Sequence, residues 1–82
     1  MDLQGEFLGA IERVVVSPSA GIFSPVSDLP ATVEVGSTLG FVHANGTATP
    51  VVSPFGGHLV SIVASDGERL TSHQRVAWLR AA

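Results

Sequence analysis

"VVSPFGGHL" (51–59) restates "VVSPSAGIF" (15–23), with Val-Val-Ser-Pro-x-x-Gly matched in place at an offset of 36 residues, 15 against 51. Further on, "VEVGSTLGFV" (33–42) parallels "LTSHQRVAWL" (70–79) at an offset of 37, with Leu39 over Val76 and Phe41 over Trp78. One residue of slip in a loop reconciles the two offsets. An internal repeat constrains a fold before any other feature does. Two copies are too few for a solenoid. They fit a compact sandwich with an approximate two-fold axis, in which each half covers the apolar face the other cannot bury alone. Chance similarity in a Val- and Gly-rich chain is the competing account, and agreement in both order and offset argues against it.

Around the repeat, Gly, Pro, Asn-Gly and Asp-Gly punctuate the chain every few residues. The runs between them are short and rich in Val, Ile, Leu and Thr, which predicts an all-β fold. Strands are expected near 12–16, 21–24, 32–35, 38–44, 47–52, 57–64, 69–71 and 75–80. Pro50 implies that its strand is an edge or is broken there. Residues 2–11 could form a short helix or an extra strand. Within "FVHANGTATP" (41–50), Asn45-Gly46 joins two extended runs, and Asn-Gly is the strongest short signal for a type I′ hairpin.

The 82 residues make one domain, and a chain of this size buries roughly 60% of its unfolded surface. Hydrophobic residues are 45% and charged residues 13%, too apolar for disorder. With a net charge of −3 and no basic patch, nucleic-acid binding is not expected. Val35 to Ser65 carries no formal charge, but its prolines, glycines and hydroxyls do not make a membrane helix. The N-terminus, with Asp2 and Glu6 and no long apolar run, does not read as a signal peptide, so a cytoplasmic protein is expected. Cysteine is absent, which removes disulfides, thiolate nucleophiles and Cys-ligated metals. All four basic residues are arginines (Arg13, Arg69, Arg75 and Arg80), so the chain holds no lysine.

The second half, "SPFGGHLVSIVASDGERLTSHQRVAWLR" (53–80), resembles the C-terminal half of a biotinyl/lipoyl carrier domain. Pro54, Gly57, Leu59, Ile62, Asp66-Gly67, Leu70, Gln74 and Val76 fall in register with that family's pattern. The first repeat resembles the family's first half, and the biotin carboxyl carrier branch is closer than the lipoyl branch. The resemblance implies a flattened β-barrel, a barrel-sandwich hybrid of two four-stranded antiparallel sheets. It implies a carrier-like domain over 12–82 preceded by an N-terminal extension, 1–11. The family's modified lysine sits at the tip of the hairpin joining the halves. Counting back from Pro54 puts Val42-His43-Ala44-Asn45-Gly46 over its Val-Glu-Ala-Met-Lys, so Gly46 takes the lysine's place. Biotin and lipoate are attached to a lysine amine, so this chain can carry neither and cannot form a Schiff base. No cofactor is expected. His73 stands where the family often has Gly, and "SPVSDLPAT" (24–32) replaces a Gly-Asp turn.

Candidate site residues are few. His43, His58 and His73 are the weak candidates for acid–base work. They lie 15 residues apart, which is not a metal-ligand spacing, so no metal site is expected. Surface or strand-end histidines are the simpler account. Asp66 and Glu68 could do acid–base work as paired carboxylates, but they are better explained as hairpin chemistry around Gly67 at positive φ. Phe7, Phe23, Phe41, Phe55 and Trp78 are expected in the core, with Phe41 and Trp78 packed symmetrically; the alternative is that some line a cavity or a partner groove. Ser19 and Ser53 lack a nucleophile elbow, and "GSTLG" lacks the Lys and helix of a phosphate loop.

The resemblance implies a non-biotinylated carrier-like module for binding or scaffolding, docked on an acyl-CoA carboxylase or another biosynthetic partner. The rival is a small β-sandwich enzyme, a cyclase or isomerase acting on an apolar biosynthetic intermediate and using a histidine. A third reading is a domain cut from a transporter adaptor or decarboxylase, against which a start at Met1 speaks. Edge strands and an apolar composition make homo-oligomers plausible. Small sandwiches seldom enclose a pocket, so a site for an apolar small molecule is expected on the surface or between subunits.

Overall fold

The computed structural model describes residues 12–81, and the expected N-terminal extension, including Phe7, lies outside them. Eight strands follow one another: β1 (Glu12–Val16), β2 (Gly21–Pro25), β3 (Thr32–Val33), β4 (Thr38–Ala44), β5 (Thr47–Val52), β6 (Gly57–Ile62), β7 (Arg69–Leu70) and β8 (Arg75–Arg80). Among the described residues there is no helix. Four of the expected strands stand unchanged. β6 stops at Ile62 and β3 at Val33, two residues early in each case, and Val35 is 71% exposed.

Two antiparallel sheets form, in the orders β1-β8-β6-β3 and β5-β4-β2-β7. They are the two four-stranded antiparallel sheets expected of a barrel-sandwich hybrid, stacked as a sandwich that is not closed into a barrel. The two-residue strands β3 and β7 each end a sheet, too short to carry a ladder across to the other one. Pro50 lies on the edge strand β5, where its missing N–H costs no ladder bond.

Replacing β1, β8, β6 and β3 by β5, β4, β2 and β7 converts one sheet order into the other, so the sequence repeat is a structural two-fold. Its hydrogen bonds repeat as well. The Ser17 N–H donates to the Gln74 carbonyl at 2.8 Å, and the Ser53 N–H donates to the Ser37 carbonyl at 2.9 Å. In return the His73 N–H donates to Ser17 and the Gly36 N–H to Ser53, both at 2.8 Å. Each repeat's serine is therefore clasped by the turn that precedes the other repeat's last strand.

The repeated glycines mark close strand approach. A Cβ on Gly21 would lie 2.6 Å from the His43 carbonyl oxygen, and one on Gly57 would lie 2.5 Å from that of Arg80. The core between the sheets holds Val15, Phe23, Val33, Leu39, Val42, Val51, Ala64, Leu70, Val76, Ala77 and Leu79. It also pairs by repeat: Val15 with Val51, Val33 with Leu70, Leu39 with Val76, Val42 with Leu79.

Phe41 and Trp78 are corrected. They do occupy equivalent places, but on the outer faces: Phe41 is 36% exposed, and Trp78 is half-buried and outside the core. Strand alternation is the reason, because Val42, Ala77 and Leu79 beside them point inward. Phe23 is fully buried. Phe55 is half-buried against the core, with the Arg13 guanidinium 5.1 Å above its ring, a cation–π contact.

Candidate functional site

The hairpin between β4 and β5 turns on Asn45 (φ 52°) and Gly46 (φ 78°), both left-handed, as a type I′ turn requires. Nothing lies within 4 Å of the place a Gly46 Cβ would take. The tip is a backbone turn facing open space, with no side chain at the position the resemblance gives to the carrier lysine.

Beside this tip is an open depression of about 440 Å³, lined by Ala20, Gly21, Ile22, His43, Ala44, Asn45 and Arg69. Sheet register builds it. His43 and Arg69 are both direct cross-strand partners of Ile22, from β4 on one side and β7 on the other. Directly opposed residues share a face, so the imidazole and the guanidinium flank Ile22 on the outside of the sheet. Ala48 of β5 continues the row beyond His43.

Of the three histidines, the depression takes only His43. His58 is the second residue of β6 on the other sheet, between Arg80 and Thr32. His73 sits in the turn before β8 with φ 68°, the place that its repeat mate Gly36 fills with φ 92°. Among the described residues, no three His, Cys, Asp or Glu side chains come close enough to hold a metal ion. Asp66 and Glu68 bracket Gly67 (φ 84°) in a turn from β6 to β7, which lie in different sheets, so this is a crossover and not a hairpin. The Glu68 carboxylate is engaged there, accepting from the Ser65 N–H at 2.8 Å and from the Gln74 amide at 3.1 Å.

Arg69 lines the depression although it is not among the candidate residues that motif and spacing single out. Its signal was present in the repeat, where its mate is the neutral Thr32. Chemically the depression offers three kinds of hydrogen-bond donor, from Arg69, His43 and the Asn45 amide, over a small apolar floor, and no carboxylate lines it.

No family model matches the chain. No curated protein sequence matches it either. Solved structures do. The urea carboxylase of Kluyveromyces lactis matches with a TM-score of 0.74 and 23% identity over 84% of this chain and 6% of that one. A single-chain, multi-domain long-chain acyl-CoA carboxylase matches with a TM-score of 0.75 and 15% identity, over 87% of this chain and 7% of that one. A succinylglutamate desuccinylase/aspartoacylase from Rhodobacter sphaeroides matches with a TM-score of 0.65 and 24% identity, over 83% and 22%. The chain therefore spans less than a quarter of each neighbour's length. At these identities the likeness is one of fold, and the fold is one that larger proteins contain as a part.

Proposed function

We propose that the chain is a biotin-carboxyl-carrier-like module that carries no biotin and works in the cytoplasm by docking onto a carboxylase-like or other biosynthetic partner. One observation supports this above the rest. The sandwich resembles parts of two carboxylases, while its connecting hairpin is the lysine-free turn Asn45-Gly46. A carrier fold without an attachment amine retains only its surfaces for function.

The test has two arms. Incubation with biotin ligase, ATP and biotin leaves the intact mass unchanged, and affinity capture from the native host recovers carboxylase subunits. A biotin adduct, or capture of neither a carboxylase subunit nor any other biosynthetic enzyme, overturns the proposal. The rival reading, a small cyclase or isomerase, calls for an aromatic-lined concavity beside a histidine. The depression at His43 is lined by no Phe or Trp, so no observation favours it.

A further inference from the structure

The two-fold axis allows the tip to be compared with its own duplicate. The row Ala48–His43–Ile22–Arg69 across one sheet corresponds, position for position, to Glu12–Arg80–His58–Thr32 across the other. In the second row the cation is neutralised, because the Arg80 guanidinium donates to the Glu12 carboxylate at 3.0 Å. In the tip row the place of Glu12 is held by Ala48. The acidic residue next to Arg69 in sequence, Glu68, is tied into its own turn. No formally charged residue lies between Val35 and Ser65. Among the described residues, the ion pair of one row thus has no counterpart in the other.

We propose that the depression at the hairpin tip binds a small organic carboxylate. The Arg69 guanidinium presents a planar fork that matches a carboxylate's two oxygens. His43 and Asn45 add donors on the other side of Ile22. The ligand's short apolar stem lies on Ala20, Ile22 and Ala44. A depression of about 440 Å³ falls within the size range of small-molecule sites, but its openness limits the occupant to a few heavy atoms beyond the carboxylate. This site stands apart from the docking reading, since it needs no partner and no lysine.

The experiment is an amide-resolved NMR titration of the full chain with sodium butyrate, with butan-1-ol, sodium chloride and inorganic phosphate as comparisons. Butyrate should produce saturable shifts at Gly21, Ile22, His43 and Ala44, and butan-1-ol and chloride should not. Arg69→Gln, an exposed change that leaves the backbone pairing of β7 intact, should weaken butyrate binding about tenfold, one charge-assisted hydrogen bond's worth. His43→Gln should weaken it less, and Glu12→Gln, at the duplicate row, should leave it unchanged. The proposal is overturned by shifts that do not saturate, by equal shifts with chloride, by unaltered binding in a folded Arg69→Gln, or by phosphate binding more tightly than butyrate.

Discussion

Ser17 and Ser53 are the same residue of two repeats: each is fully buried, and each hydroxyl donates to the carbonyl two positions ahead, Ser19 at 2.6 Å and Phe55 at 2.7 Å. The Val-Val-Ser-Pro motif is repeated because each copy must end its strand and turn beneath the turn that precedes the other copy's last strand. The buried hydroxyl satisfies the carbonyl that the turn exposes inside the fold, and an orphaned buried carbonyl is costly. Ser17→Ala and Ser53→Ala should each lower stability by about 1–2 kcal/mol. Ser53→Ala should cost more, because its Oγ also accepts from the Phe55 N–H at 3.2 Å. Urea unfolding of the two variants checks this; a loss under about 0.5 kcal/mol in both would remove the hydroxyls from the account of the motif.

His73 sits left-handed at φ 68°, a conformation that costs an ordinary residue roughly 1–2 kcal/mol. Gly36 fills the equivalent place without that cost. His73→Gly should therefore stabilise the chain by about 1 kcal/mol, which for a domain of this size raises Tm by about 4–8 °C. The Ser72–His73 side-chain contact that the change deletes is exposed and at 3.3 Å contributes little. A fall in Tm would show that the imidazole has a structural role that the turn geometry does not reveal.

The two phenylalanines of the β2–β4 pair should separate cleanly. Phe23 is fully buried between the sheets, and Phe23→Ala should cost about 3–5 kcal/mol or prevent folding. Phe41, on the outer face of the same sheet, should cost under about 1 kcal/mol on the same change. Thermal melts of both variants measure the contrast, and equal losses would place Phe41 in the core after all.

Gly46→Lys tests the tip as a place. Its Cβ would enter open space, so the only cost is that of a side chain at φ 78°, about 1–2 kcal/mol. The variant should fold with a modestly lower Tm and supply the chain's one side-chain amine. Loss of the folded amide spectrum would mean that the turn tolerates only its Asn-Gly backbone.

The strand pattern, the all-β class, the turn at Asn45-Gly46 and the two-fold organisation were all legible in the residues, because alternation, turn chemistry and an internal repeat are local or self-referring signals. The absence of lysine was equally plain. The outer-face positions of Trp78 and Phe41 were not legible, because a repeat shows which residues are equivalent but not which face they share. That face is set by the register that places Val42, Ala77 and Leu79 inward.

The sequence alone determined that two half-domains of similar strands must cover each other and that the hairpin between them bears no amine. Only the tertiary structure decided that the sheets remain a sandwich, since β3 and β7, one end strand of each sheet, are two residues long and too short to pair across. Only it set Arg69 and His43 on either side of Ile22, residues 22, 43 and 69 being far apart along the chain. Cross-strand register, which no local propensity specifies, is the physical reason that this depression exists.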